Sequence, residues 1–347
     1  MELRRLGNSG TIVSAWCLGT MTFGAEADEA TSFALMDTYV QAGGNFFDTA
    51  DVYSNGVSEE IVGRWLKAHP TAARQIVVAT KARFPMGPGP NDIGLSRRHL
   101  GMALDDSLKR LGVERIDLYQ MHAWDALTPL EETLRFLDDA VRAGKIAYYG
   151  FSNYLGWQVT KAAQIARFMN YPAPVTLQPH YNLIVRDIEF EVVPACRDAG
   201  MGLLPWSPLG GGWLTGKYKR DSAPTGATRL GENPNRGQES YGPRNASERV
   251  WKIIETLEKI AKGRGISMAE VALSWLNERP AVTSVILGAR TVEQLSQNLK
   301  ADGLKLSADE VTALDTASAP AVGDYPYGPG GTSQRTRPIK GGRATAG

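Results

Sequence analysis

Cysteine is scarce. Cys17 and Cys196 are the only two in 347 residues, too few for a disulfide framework, so the chain reads as one made for a reducing compartment with both thiols acting as small buried side chains. Net charge is also nearly absent: 38 Lys and Arg against 37 Asp and Glu leave +1, and no summed field favours nucleic acid or an anionic membrane. No apolar run reaches the roughly 18 residues of a membrane span. Met1-Glu2-Leu3-Arg4-Arg5-Leu6 passes into Gly7-Asn8-Ser9-Gly10 without an apolar signal core, which points to a cytoplasmic protein. No Cys/His group has metal-ligand spacing, so no metal is expected. Gly19-Thr20-Met21-Thr22-Phe23-Gly24 lacks the G-x-G-x-x-G turn that a doubly wound dinucleotide fold places after its first strand. Apart from strand and helix alternating, no internal repeat is visible.

What is present is that alternation. Residues 2–6 and 11–14 flank an Asn8-Ser9-Gly10 turn and read as a hairpin. Short apolar runs follow at 15–18, 46–47, 76–80, 116–121, 146–151, 175–177, 201–205 and 282–287. Between them lie stretches of helical periodicity, over about 28–42, 57–68, 96–111, 128–143, 155–169, 188–199, 246–262, 267–278 and 291–300. Strands buried on both faces read as continuous apolar runs, and eight of them, each followed by helix, make an α/β chain of the (β/α)8 TIM-barrel type. The expected organisation is one barrel domain over 1–318, with an N-terminal β-hairpin and extended loops at the C-terminal face of the strands. A Gly/Pro-rich tail follows over 319–347. The polar 219–245 interval reads either as a lid or as a tolerated surface insertion. The tail reads either as a disordered terminus or as a wall of the pocket, through Tyr325 and Tyr327.

The functional signal lies where the runs end. Asp48, Lys81, His122, Ser152-Asn153, Gln178, Trp206-Ser207 and Gly288 all stand at the C-terminal ends of strands, the face on which barrel sites are built. Asp48, Lys81 and Tyr53, five residues beyond Asp48, would meet at one rim as a carboxylate, an ammonium and a phenol. A free phenol titrates at about 10; an ammonium beside it would lower that value, with Asp48 holding the lysine charged and aimed.

These residues carry a resemblance. Phe47-Asp48-Thr49-Ala50-Asp51-Val52-Tyr53 with Ser58-Glu59, then Thr80-Lys81, then Gln120-Met121-His122 are similar in order and spacing to the catalytic tetrad of aldo-keto reductases. Gly150-Phe151-Ser152-Asn153, Leu177-Gln178-Pro179-His180-Tyr181-Asn182, Trp206-Ser207-Pro208-Leu209, Leu214-Thr215-Gly216-Lys217-Tyr218 and Leu287-Gly288-Ala289-Arg290-Thr291 resemble that family's cofactor segments, and the likeness covers roughly residues 2–300. It implies hydride transfer between a nicotinamide cofactor and a small-molecule carbonyl compound. Tyr53 would be the general acid, assisted by Lys81 and Asp48, and His122 would orient the carbonyl oxygen. Gly19, Thr20, Met21 and Asp48 would border the cofactor. Ser152, Asn153 and Gln178 would hold the carboxamide, and Trp206 with Ser207 would back the ring. Leu209, Gly210 and Lys217 would meet the pyrophosphate, although Lys217 also reads as a surface lysine.

At the adenosine end the chain departs from the family pattern. Gly288-Ala289 stands where relatives carry Lys-Ser, and Gln294 where they carry an Arg. Arg290 either replaces the lost charge or is a plain surface residue, with Gln294 and Asn298 near the adenine. The implied cofactor is NADP(H), with NAD(H) open. Phe84 and Trp124, with Met21, suggest apolar substrate walls. The Trp-Ser-Pro-Leu segment also resembles the potassium-channel β subunits, which hold the same cofactor as partner proteins but carry asparagine at the position of His122. That leaves a cofactor-binding regulatory module as the alternative. A Schiff-base role for Lys81 would leave Asp48, Tyr53 and His122 unexplained. Substrate and oligomeric state are not specified.

Overall fold

The structure is a computed structural model describing residues 1–220, 222–225, 229–232, 241–328, 330 and 331. The chain opens with an antiparallel hairpin, β1 (Leu3–Arg5) and β2 (Ile12–Ser14). The barrel strands are β3 (Trp16–Gly19), β4 (Phe46–Asp48), β5 (Val77–Ala82), β6 (Ile116–Met121), β7 (Ile146–Ser152), β8 (Thr176–Gln178), β9 (Gly202–Leu203) and β10 (Val285–Gly288). They pair in parallel in the order β10-β3-β4-β5-β6-β7-β8-β9. The two ends of that sheet meet: Leu203 bridges Val282, its N–H reaching Ala281 O at 2.7 Å, and Ile286 N–H reaches Pro205 O at 3.0 Å. The sheet is therefore closed as a (β/α)8 barrel, with its helices outside.

Helix starts follow local chemistry. Ser96, Ser247 and Ser267 each cap a helix with the side-chain oxygen, and Glu270 returns the bond to Ser267 in a capping box. Gly112 and Gly265 end helices in the left-handed conformation. The long Glu248–Arg264 helix packs against a further helix, Ala308–Ser318, which the periodicity of the sequence did not suggest. Its start is a second capping box, Ser307 with Glu310.

Three elements depart most from expectation. The seventh barrel strand, expected over 201–205, is only two residues long, because Pro205 has no N–H to extend a ladder. The eighth begins at Val285 rather than 282, because Thr283 N–H turns to Leu203 O at 2.9 Å to close the barrel. The helix expected over 188–199 breaks into a 3-10 turn, Asp187–Glu189, and the Val192–Asp198 helix. There Arg186 grips Glu189 with two bonds of 2.8 Å each. Both cysteines are buried and unpaired, and no helix among the described residues is long and apolar enough to cross a membrane.

Parts of the 219–245 interval, at 221, 226–228 and 233–240, and the tail at 329 and from 332 onward lie outside the described residues, so the lid and tail expectations there concern segments not described. What is described of the interval is anchored: Leu230 is buried, and the Tyr241 ring stacks on Trp213 at 5.3 Å. In the tail, Tyr327 stacks on Phe190 at 4.8 Å and donates to Glu191, while Tyr325 is exposed.

Candidate active site

Successive strand side chains alternate faces, and that period of two builds the site. The barrel lumen is filled by Cys17, Phe46, Ala79, Leu118 and Ile286, floored by Leu6 and Val13 of the hairpin. Two residues further along, Phe46 leads to Asp48, Ala79 to Lys81, Leu118 to Gln120 and Thr176 to Gln178. The register is staggered: Asp48 pairs with Ala79, two residues before Lys81, while Lys81 pairs with Gln120 and Ser152 with Gln178, and the side chains of Asp48, Lys81, Gln120 and Gln178 converge across that stagger. A polar layer thus caps an apolar one.

Asp48 is the centre of that layer. Its Oδ2 accepts from Lys81 Nζ at 2.6 Å, and its Oδ1 from Gln178 Nε2 at 2.8 Å and Gln120 Nε2 at 3.3 Å. Lys81, fully buried, also donates to Thr49 O at 2.7 Å and Tyr53 Oη at 3.2 Å. All three ammonium donors are therefore used. Tyr53 stands on a one-turn 3-10 segment, Tyr53–Gly56, in which Ser54 and Asn55 adopt φ of +48° and +53°. Ser54 Oγ ties the turn to Phe23 O at 2.8 Å. Below it, Ser58 Oγ meets Thr20 Oγ1 at 2.8 Å and Thr49 Oγ1 at 2.9 Å. Glu59 takes Thr80 Oγ1 at 2.5 Å and Arg110 Nε at 2.7 Å, which accounts for the Ser-Glu pair after the tyrosine.

Burial alone pushes the Lys81 ammonium down, but Asp48 and Tyr53 outweigh it and hold the group above its ordinary range. For Tyr53 the balance runs against the expectation from sequence. Burial pushes the phenol up, Lys81 pulls it back, and the result stays above the usual tyrosine value. A lysine already paired with a carboxylate offsets only part of the cost of a buried phenolate. Burial, helped by Lys81 and Arg83, drives His122 well below the ordinary histidine value, so it is a neutral imidazole. Its ring lies edge-on to Tyr53 at 5.8 Å and to Phe84 at 4.7 Å. Trp124 lies edge-on to Tyr154 at 5.2 Å and to Trp157 at 5.5 Å.

Around this group the remaining strand ends are already bonded to one another. Asn153, at φ +56°, donates to His122 O at 3.0 Å and Ser152 Oγ at 3.1 Å and accepts from Trp206 Nε1 at 3.1 Å. Ser152 Oγ donates to Gln178 O at 2.9 Å. Since Gln178 sends one amide N–H to Asp48, the direction of its amide is set, and its oxygen is an acceptor open to a ligand. His180 stacks on one face of Trp206 at 4.2 Å, which leaves one face for anything else. Asn182 Nδ2 holds Ser207 O at 2.9 Å. Thr20 N–H reaches Asp48 O at 2.9 Å, an added Cβ at Gly19 would sit 2.6 Å from Ile286, and Met21 is exposed at the mouth.

Beyond Leu209 the chain turns through Gly210, Gly211 and Gly212 at φ +58°, +66° and +93°, a path suited to glycine. The Lys217 side chain lies over Gly212, where a Cβ would come within 2.2 Å of it. Buried Arg244 donates to Gly210 O at 2.7 Å. Farther round, Arg290 N–H bonds Gln294 Oε1 at 2.9 Å, its guanidinium pairs with Glu26 at 3.6 Å, and Asn298 is buried.

Gln120 and Asn182 stood in the motif segments without a role of their own, Arg244 was not singled out, and His180, read from sequence as a pocket neighbour, lies against Trp206. Gln120 had a signal, lying two residues above lumen-facing Leu118. The others act through contacts that only folding creates. Asp51 was also missed: its carboxylate is buried, neither oxygen has a partner, and burial with the charge of Glu59 pushes it up to about 7. Among the described residues no group of three or more His, Cys, Asp or Glu could hold a metal ion.

The Aldo/keto reductase family model matches residues 15–319. A protein of Bacillus subtilis described as the uncharacterized oxidoreductase YrpG is 38% identical over 339 residues, covering 95% of this chain and 98% of its own. A probable voltage-gated potassium channel subunit beta of Oryza sativa is 38% identical over 314 residues, covering 90% and 94%. Versiconal hemiacetal acetate reductase of Aspergillus parasiticus is 34% identical, covering 92% and 98%. The chain belongs to the aldo/keto reductase family, and carbonyl oxidoreduction is its class of chemistry.

Proposed function

We propose that this protein reduces aldehydes and some ketones to alcohols in the cytoplasm, using NADP(H) and with NAD(H) as a weaker alternative. The observation that carries the reading is Tyr53 Oη at 3.2 Å from a lysine that is itself bound to Asp48 at 2.6 Å, beside a neutral His122. The residues suit a nicotinamide dinucleotide: half-exposed Trp206 has one face backed by His180, Gln178 has an acceptor to offer, and the glycine turn after Leu209 permits close backbone approach. When bound, the dihydronicotinamide supplies the hydride.

The chain supplies the rest. Tyr53, kept protonated by burial, gives its proton to the carbonyl oxygen as negative charge develops there. The phenolate left behind faces the Lys81 ammonium, which Asp48 holds in place. His122, uncharged, donates a hydrogen bond to the same oxygen and fixes the carbonyl plane without competing as an acid. Ser152, Asn153 and Gln178 set the level at which the carboxamide would lie, with Gly19, Thr20, Met21 and Ser207 around it. Leu209, Gly210 and Lys217 would take the pyrophosphate. At the far end Arg290 would exchange Glu26 for the 2′-phosphate, with Gln294 and Asn298 beside the adenosine.

The test is fluorescence titration with NADPH and NADH, then turnover of para-nitrobenzaldehyde by the wild type and by Tyr53→Phe. Tight NADPH binding, with turnover lost only in the variant, is the expected result. A second reading, a cofactor-holding regulatory subunit, draws on the two plant relatives described as probable potassium channel β subunits. Binding without turnover of any carbonyl compound would favour it, and failure to bind either nucleotide would sink both.

A further inference from the structure

Directly after β5 comes a cation that the proposed chemistry does not use. Arg83 is half-buried, with its guanidinium 5.3 Å from the Phe84 ring, and Phe84 in turn packs against His122 at 4.7 Å. Its backbone is fixed, because Gly94 N–H donates to Arg83 O at 2.9 Å. None of its five N–H donors has a hydrogen bond, and no carboxylate lies within ion-pair distance among the described residues. Nε is shut away from solvent with no partner, an arrangement that costs stability until an acceptor arrives.

The acid whose charge Arg83 feels is engaged elsewhere. Asp125 Oδ2 accepts from Leu95 N–H at 2.8 Å and Thr128 Oγ1 at 2.6 Å, and its Oδ1 from Leu127 N–H at 3.0 Å. Yet the charge of Arg83 reaches the pocket itself, since it depresses the titration of His122 and opposes the burial of Tyr154. A guanidinium resting on an aromatic ring needs no ligand. One with unused donors, at the wall shared by Phe84 and His122, is suited to select one.

We infer that Arg83 selects the substrate, and that the preferred carbonyl compounds carry a carboxylate on the side of the molecule facing the Phe84 wall. A planar carboxylate matches the two-pronged guanidinium edge. A single negative charge fits better than a phosphate dianion, because the other cation nearby, Lys81, is consumed by Asp48. The inference rests on the carbonyl-reductase reading and names its substrate class.

Two aldehydes of nearly equal shape separate the two ideas: para-carboxybenzaldehyde and neutral para-nitrobenzaldehyde. The readout is the ratio of their kcat/KM values in the wild type, Arg83→Met and Arg83→Lys, which cancels differences in intrinsic reactivity and in folded fraction. The ratio is expected to fall about ten- to hundredfold in Arg83→Met, the range for a charged hydrogen-bonded contact. Arg83→Lys should keep part of the preference, and added salt should erode the wild-type ratio. An unchanged ratio in Arg83→Met overturns the inference while leaving the reductase reading intact. If the wild type reduces neither aldehyde, the reductase reading falls and this one with it.

Discussion

The mouth of the barrel has two unlike ends. At the Asp48 end, one carboxylate of β4 is bonded to side chains from β5, β6 and β8, every group is buried, and the spacing follows from strand register. At the Gly288–Asn298 end, Arg290 touches a helix side chain and pairs at 3.6 Å with a partly exposed glutamate from another loop. The first end is held by the sheet, so its geometry exists before any ligand arrives. The second is held by a loop and a helix start, where a charge can change partner at little cost. On the proposed reading, the chemistry that needs accurate placement would lie at the rigid end, and the end that would tell one nucleotide from another would be the adjustable one.

The strongest way to break this contrast is Lys81→Met. It should abolish turnover and also cost about 3–5 kcal/mol of stability, because Asp48 is left as an uncompensated buried charge; urea unfolding reads the second effect. Tyr53→Phe and His122→Asn should lower turnover by about 10²–10⁴-fold while changing stability by no more than about 1 kcal/mol. A stability loss in Tyr53→Phe equal to that of Lys81→Met would show that the scaffold leans on the phenol as well.

Asp51 tests the rigid end through pH. Its carboxyl titrates near 7 in the fold and near 3.9 when unfolded. Between those values the native chain holds the extra proton, so stability falls as pH rises through the window. Asp51→Asn removes that slope. Relative to wild type the variant should gain on the order of 2–4 kcal/mol between pH 4 and pH 7, measured by urea titrations across the range. The smallest effect belongs to the loose end: Glu26→Gln should shift the NADPH-to-NADH binding ratio about two- to fivefold toward NADPH, the scale of a partly exposed ion pair. No shift would mean that Arg290 is a surface residue and nothing more.

The rigid end was also the more legible. Phe46-Phe47-Asp48 and Ile116 to His122 show in one dimension what the barrel does in three, an apolar lumen ending in a polar rim, so the strands and their terminal residues could be read from the chain. What could not be read depended on balance or on distant partners. The sign of the Tyr53 shift is a contest between burial and Lys81, and burial is a property of the fold. His180 behind Trp206 and Arg244 on Gly210 are meetings of residues far apart in sequence. The Ala308–Ser318 helix did announce itself, in Ser307-x-x-Glu310, but its helical periodicity is too weak to notice. The closure at Leu203 and Val282 is a local exchange of hydrogen bonds that no apolar pattern encodes.

The three bonds converging on Asp48 have a consequence for how such a barrel can change over generations. Tyr53 and His122 stand at the edge of the polar layer and tie no strands together through their side chains, whereas Asp48 and Lys81 are struts between strands. A lineage can therefore discard the reaction by altering the edge and keep the vessel, while altering the struts puts the vessel itself at risk. On the proposed reading, an exchange at the His122 position would cost the reaction alone, and the surviving Asp-Lys pair would then record a scaffold's needs rather than an activity.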